Sequence, residues 1–410
     1  MQKENITGSL LIFHHNPFQR GSEGEEDANL ILRQLIYHYP SNTDDRSIEH
    51  LLGVVISLYT FTSLSLEGRK LEFVAWSNSK LSIRIVELDD KSKIFFVLRE
   101  PEHFSDSSIA RMLDFIINGV YFCVGEKVMK DFDKLKNYFA ENGERLFNDV
   151  INIAASDESL INFAFSDVKC MSWHRSGVTA TLMELMIMQT YKDVWGIVSF
   201  VNDMLLISHS PLEIIKLFKF VDKESKRTRV FLKRKNREIL TNYKCCIAQI
   251  PDKDEIEADL IRVQQESVIF YLLVSPEISQ ETIDQINEIF VRSIPDILSG
   301  ILDKTTTNYP SNSIVFNEVL DILKVGNITN EFRDNAILAH DSFLKNQKLR
   351  DIITHNSKSF SISMNILNVE HHASVKNNQK QTLEDMYEES LHVNPELQRF
   401  LQSLHTYQEP

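Results

Sequence analysis

SLLIFHHNPFQRGSEGEEDANLILRQLIYHYPSN, Ser9 to Asn42, sets two apolar runs around an acidic loop and delivers the chain into a third apolar segment near Ser47. Ser9 to Phe13 and Leu30 to Tyr39 read as strands, and Ser47 to Leu64 repeats its apolar residues at helical spacing. Three further strands are expected at Lys70 to Trp76, Leu81 to Glu87 and Ile94 to Arg99, joined by polar turns at 77–80 and 88–93. Helical patterns at Ser107 to Val120 and Lys127 to Phe139 complete the order β-β-α-β-β-β-α-α within residues 1–155.

Working outward, residues 156–252 read as a second small α/β domain. It holds the apolar LINFAF, a helix over Thr179 to Tyr191, strands VWGIVSFVN and MLLISH, a helix from Pro211 to Phe220, and a basic hairpin-like stretch to Ile250. Residues 253–410 read as a third domain. Its expected elements are the strand SVIFYLLVS, a helix over Ser279 to Ile301 kinked at Pro295, helices near Ile314 to Leu323 and Asp334 to Asn346, and a strand at Phe360 to Leu367. A disordered loop near 373–390 and a final helix at Pro395 to His405 follow. At 410 residues the chain exceeds the ~250–300 at which a single core stops growing, so several domains are expected.

The net charge of −14 argues against a role in coating nucleic acid, whose affinity comes from basic side chains neutralising phosphates. Cys123, Cys170, Cys245 and Cys246 have no CxxC spacing, so neither a zinc site nor a disulfide framework is expected, and a reduced cytosolic compartment fits. Nothing in the first residues reads as a signal peptide, and the longest apolar run falls short of the ~20 residues of a membrane span, so membrane contact is expected to be peripheral.

His14 and His15 are neighbours on a strand and therefore point to opposite faces, which excludes a shared metal ion unless the chain turns there. His371 and His372 fall under the same geometry and lack HExxH spacing. No GxSxG, GxGxxG or GxxxxGK[ST] occurs, HRSGVT lacks the first glycine of a nucleophile elbow, and the acidic Glu23 to Asp27 reads as a solvated face. Direct bond-making chemistry and a bound nucleotide, metal or other cofactor are not expected.

The helix from Ser47 is more informative. Ile48, Leu51, Leu52, Val55, Tyr59 and Thr62 form a face for the sheet, while the opposite face carries His50, Gly53, Val54, Ser57, Phe61 and Leu64, where a solvated helix carries charge. A helix apolar on both sides needs cover on both sides; the residues alone leave open whether another part of the chain or a partner protein provides it. The run from Lys223 contains Lys226, Arg227, Arg229, Lys233, Arg234, Lys235 and Arg237 against one acid, Glu224. Such a cluster suits anionic lipid head groups or a solvated strand edge. Met183, Met186 and Met188 read as core filling.

These stretches carry a resemblance. The opening quoted above with its FTSL helix end, VSFVNDMLLISHSPLEIIKLFKFV, ESVIFYLLVSPEISQETIDQINEIF, SFSISMNILNVEHHASVK and NPELQRFLQSLH resemble, in order, segments of the Ccz subunits of the Mon–Ccz complex. The resemblance implies an α/β (α+β) chain of three longin domains, each a mostly antiparallel sheet flanked by helices. It implies half of a heterodimeric guanine-nucleotide exchange factor, paired with a Mon-type longin subunit and acting on a Rab GTPase of the Rab-seven class. The site would be the helix face His50, Gly53, Val54, Ser57, Phe61 and Leu64, and the mechanism a remodelling of switch I that releases magnesium and GDP. Lys226, Arg227, Arg229, Lys233, Arg234, Lys235 and Arg237 would meet a phosphoinositide-containing late-endosomal or vacuolar membrane. A longin pair of the Hermansky–Pudlak type acting on another Rab, or a non-catalytic trafficking scaffold, are the alternatives. The family continues into further strands beyond its last helix, so completion of the third domain by the partner is one expectation.

Overall fold

KIFFVLREP, Lys93 to Pro101, is apolar at consecutive positions, which a strand adopts when both of its faces are covered. In a computed structural model of the chain it is the central strand of the first of three sheets. The structure describes residues 9–16, 33–41, 43–65, 71–76, 79–88, 90–102, 106–155, 175–201, 204–208, 212–221, 224–242, 250–251, 253–302, 313–317, 322–325, 330–346, 349, 351–355, 359–366 and 369–376.

The first unit runs β1 (Ser9–His15), β2 (Leu35–Tyr39), α1 (Asp45–Ser65), β3 (Phe73–Trp76), β4 (Ser79–Glu87), β5 (Lys93–Pro101), α2 (Asp106–Met129) and α3 (Phe132–Ala155). Its strands pair antiparallel in the order β2-β1-β5-β4-β3. Period-two alternation divides the apolar residues between two cores. Leu11, Phe13, Leu81, Ile83, Phe95 and Val97 meet Ile48, Leu52 and Val55 of α1, with the Phe13 and Phe95 rings stacked at 4.8 Å. Leu10, Ile12, Ile94, Phe96 and Leu98 face the other way, onto α2 and α3. α2 is kinked: Gly125, at φ 75° and ψ 175°, is non-helical and separates two helical stretches, so a break falls between the expected helices Ser107 to Val120 and Lys127 to Phe139, and a second one at 130–131 precedes α3.

The second unit comprises α4 (Arg175–Thr190), β6 (Val194–Val201), β7 (Met204–Ser208), α5 (Leu212–Ile215) running into a 3-10 helix (Lys216–Phe220), β8 (Arg227–Lys233), α6 (Arg234–Asn242), β9 (Glu255–Gln265), β10 (Val268–Val274) and α7 (Gln280–Leu302). Its order, β7-β6-β10-β9-β8, repeats that of the first sheet. α4 and α7 cover one face through Ala180, Met183, Ile187, Ile286 and Phe290. On the other side the 3-10 helix and the edge strand β8 pack on α2, so α2 is shared by two units. The approach is close: a Cβ on Gly119 would lie 2.2 Å from the Phe220 ring, and one on Gly125 2.8 Å from the Phe231 ring.

The third unit, β11 (Ser313–Asn317), β12 (Ile322–Val325), α8 (Asn330–Lys345), β13 (Asp351–His355), β14 (Ser359–Ile366) and β15 (Val369–Lys376), forms a sheet of order β12-β11-β15-β14-β13 with α8 on β14 and β15. The expected fold class, α+β with antiparallel sheets flanked by helices, is therefore the one the chain has.

Several boundaries need correction. The expected division between 252 and 253 passes between hydrogen-bonded neighbours, because β8 pairs with β9 (Arg229 opposite Asp259) and cannot belong to a different domain. β9 and α7 complete the second sheet unit, and the third sheet begins at β11. The basic segment is a strand followed by helix α6 rather than a hairpin. The helix expected near Ile314 to Leu323 is two short strands, β11 and β12. Ala373 to Lys376, expected in a disordered loop, extend β15. The third sheet has five strands among the described residues. α7 continues through Pro295 as one helix. LINFAF, residues 17–32, the rest of the 373–390 loop and the last helix lie outside the described residues.

Glu100 near the end of β5 is 3% exposed, and its Oε1 has no hydrogen-bond partner among the described residues. Burial pushes its pKa up to about 8. Because the folded pKa lies above the unfolded one, the stability this residue permits is full below pH ~4.5 and is lost as pH rises through about 8, at ~1.4 kcal/mol per pH unit in between. Glu100→Gln, neutral at every pH, is expected to gain on the parent by a few kcal/mol between pH 5 and pH 9 in urea unfolding. A difference that stays constant with pH would contradict a buried neutral acid.

Candidate functional site

The first turn of α1 is tied by Asp44, whose carboxylate accepts from the Ser47 backbone N–H at 2.9 Å and from the Ser47 hydroxyl at 2.6 Å. These bonds hold the Asp44 carboxyl below the usual range. From there the helix lays Ile48, Leu52 and Val55 on the sheet, all at 3% exposure or less, each worth roughly 1.5–3 kcal/mol of apolar burial. Tyr59 caps that core edge-on to Phe95, with ring centroids 5.1 Å apart, while its hydroxyl accepts from Lys93 Nζ.

The opposite face is open. Phe61 is 60% exposed and Leu64 81%; His50 and Ser57 are exposed, Gly53 and Val54 half-exposed. Nothing lies within 4 Å of a Cβ built on Gly53. The hydroxyls along this side are spent on their own helix, Ser57 donating to the Gly53 carbonyl at 2.7 Å and Thr60 to that of Ile56 at 2.8 Å. The surface presented is thus apolar and poor in free donors. The whole predicted set His50, Gly53, Val54, Ser57, Phe61 and Leu64 comes together there, whereas of the predicted inward set Leu51, Tyr59 and Thr62 are only partly buried.

Two helices, Asp45–Ser65 and Ser108–Met129, are long and apolar enough to cross a membrane by length and composition, which the interrupted run in the sequence did not suggest. α2 is mostly buried between two sheets, and α1 has its inward stripe fixed on the first sheet.

The basic run is divided by its own geometry. Arg227 and Arg229 both donate to Asp259, a buried carboxylate on the neighbouring strand, and Arg229 also donates to Glu257 at 2.7 Å. Arg234 pairs with Glu238 at 3.1 Å and lies 3.8 Å from Asp254. These three arginines form cross-strand and helical ion pairs of a solvated sheet edge. Lys226 is exposed, and Arg237 has no described side chain. Lys233 and Lys235 instead line a cleft against α2, with Arg111, Asn118, Tyr121 and Lys216. The last four escaped sequence reasoning, because they are scattered over two other elements and share no spacing.

The remaining candidates are structural. His14 Nε2 bonds Ser92 Oγ at 2.8 Å, and His15 lies edge-on to Phe95, so neighbouring histidines diverge as strand geometry requires. In the third unit His372 bonds Ser363 Oγ through Nδ1 (2.8 Å) and Glu370 through Nε2 (3.2 Å), and Glu370 also pairs with His340 at 2.8 Å. Burial alone would raise the Glu370 pKa, but these hydrogen bonds bring it below its ordinary value. The Ser-His-Glu chain has the composition of a hydrolytic triad, yet Ser363 is 2% and His372 0% exposed, so no substrate reaches it. Among the described residues no group of His, Cys, Asp and Glu is arranged to hold a metal ion. Cys123 is a free thiol that donates to the Phe220 carbonyl, and burial pushes its pKa up to about 11. Met183 and Met188 fill the core, as expected, while Met186 is 47% exposed. Residues 23–27, Cys170, His174, Cys245 and Cys246 lie outside the described residues.

Compared with known proteins, the chain matches no family model and no curated protein.

If the α1 face is uncovered in the isolated chain, Gly53→Ala is expected to stabilise it by about 0.5–1 kcal/mol, since alanine loses less backbone freedom in a helix and meets no neighbour. Phe61→Ser is expected to change stability by no more than ~0.5 kcal/mol. Chemical denaturation checks both; a loss of ~2 kcal/mol or more at Phe61 would place that ring in a core.

Proposed function

We propose that the chain is one subunit of a heterodimeric guanine-nucleotide exchange factor that pairs with a Mon-type longin subunit and activates a Rab GTPase of the Rab-seven class on late-endosomal or vacuolar membranes. The observation that supports this most is the outward face of α1, an apolar helix surface on a chain with net charge −14, with its hydroxyls internally bonded and with open space above Gly53. A glycine inside a helix costs about 0.5–1 kcal/mol relative to alanine, and no contact within the described chain requires it. Close approach of another protein's backbone at that point supplies the reason. The resemblance in ordered segments supplies the identity of that protein: a longin partner beside α1 and a GTPase lying across both.

Exchange needs no nucleophile or general base. The factor binds the nucleotide-free GTPase more tightly than the loaded one and so shifts the population towards GDP release. α1 is suited to this because its rigid anchoring on β1, β4 and β5 presents Val54 and Phe61 at a fixed distance from the sheet. The anionic membrane enters through lysines, since Arg227, Arg229 and Arg234 are already paired with acids.

The test is GDP release from a panel of Rabs by this chain with its copurifying longin partner. Acceleration of one Rab by the complex is expected, with a fall of at least about tenfold on Val54→Asp/Phe61→Asp, because a desolvated charge at a packed contact costs more than ~1.4 kcal/mol. Acceleration of a Rab outside the Rab-seven class would transfer the chain to a Hermansky–Pudlak-type factor. No acceleration of any Rab would leave α1 as the contact of a scaffold.

A further inference from the structure

A cleft of about 450 Å3 lies where α2 of the first unit meets the 3-10 helix, β8 and α6 of the second. Arg111, Lys216, Lys233 and Lys235 line it from these four elements, and Asp114 is the one carboxylate among its described lining residues. That carboxylate is already engaged by Arg84, with Nε 2.7 Å from Oδ1 and Nη2 3.3 Å from Oδ2. The cleft is therefore a basic concavity in an acidic chain.

Lys233 is its centre. The ammonium donates to Asn118 Oδ1 at 2.9 Å and lies 4.3 Å over the Tyr121 ring, half-buried, and it forms no ion pair with any described carboxylate. Burial lowers its pKa, with Glu126 and Asp114 opposing the shift from a distance. A desolvated cation without a counter-ion is costly, and an anion that enters the cleft removes the cost. Lys235 and Asn236 belong to the first turn of α6, where backbone N–H groups not used by the helix add positive potential. Phe115 and Phe231 add apolar surface to the lining.

We propose that this cleft binds a small organic phosphate with at least two negative charges, the phosphates met by Lys233, Lys235, Lys216 and Arg111 and the ring or carbon body laid against Phe115 and Phe231. The size of the cleft suits a discrete ligand, since small-molecule pockets occupy roughly 300–1,000 Å3. The bound molecule spans two units and ties α2 to β8 and α6. Its source is either a free metabolite or the head group of a phosphorylated lipid; only the second rests on the membrane role proposed above, and neither depends on exchange activity.

The full 410-residue chain is titrated calorimetrically with inorganic pyrophosphate and with a soluble inositol bisphosphate, and separately floated with phosphatidylcholine vesicles with and without phosphatidylinositol monophosphate. Binding of at least one soluble probe with Kd below about 1 mM is expected, weakened about tenfold by Lys235→Gln and by Arg111→Gln and unchanged by Lys226→Gln, which removes an exposed charge outside the cleft. Flotation that depends on the phosphoinositide and is lost in Lys235→Gln assigns the site to a lipid head group; soluble binding without flotation assigns it to a free phosphate. Failure of both soluble probes to bind overturns the proposal, as does equal weakening by Lys226→Gln, which would reduce the cleft to diffuse attraction. Lys235 is exposed and makes no described side-chain contact, so its variant reports on binding even if Arg111→Gln impairs folding.

Discussion

A sheet whose strands are apolar on both sides must be covered on both sides, and that constraint arranges this chain. In the first unit α1 covers one face and α2 with α3 the other. α2 is itself apolar beyond the stripe that meets the first sheet, and the second unit closes over it with Phe218, Phe220 and Phe231. Phe115 and Phe220 meet edge to face at 4.9 Å, and glycine at 119 lets the Phe220 ring approach the helix backbone. α1 is the counterpart with no such closure: Phe61 and Leu64 stay in water. The same requirement that is met at α2 is left unmet at α1 among the described residues, and the proposed partner protein would meet it.

Charge follows a parallel logic. The run from Lys226 to Lys235 looks uniformly basic in the sequence, but strand pairing sets Asp259 of β9 opposite Arg229 and within reach of Arg227, and brings Glu257 to Arg229. The arginines of the solvated edge are paired with acids, and on the concave side Lys233 and Lys235 line a cleft together with Arg111 and Lys216 from other elements. A cluster defined by sequence and a cluster defined by space are thus different sets that share two lysines.

The parts of the fold legible in the sequence were those with a single strong pattern. β1 and β5 were readable as short continuous apolar runs bounded by polar residues, and the two-sided helix α1 by its helical spacing over five or more residues. β9 was missed because its EIEADLIRVQQ mixes charge into a strand whose acids serve the β8 arginines. β11 and β12, of five and four residues, are too short for either period to declare itself. The division at 252 failed for a topological reason: β9 and β10 return to the sheet of β6, and pairing at that range leaves no local mark. The helical period alone placed His50, Gly53, Val54, Ser57, Phe61 and Leu64 on one outward face, where the structure has them; the cleft around Lys233 had no such signature.

The central claim is that the α1 face is open in the chain alone and covered in its complex. Thiol labelling of the Phe61→Cys variant measures this directly. Reaction at the rate of a free thiol in the isolated chain, and strong protection once the copurified longin partner and a nucleotide-free Rab are bound, is the predicted result. Protection already present in the isolated chain would mean that the chain covers its own helix, and an unprotected thiol in the full complex would mean that the partner binds elsewhere; either contradicts the account.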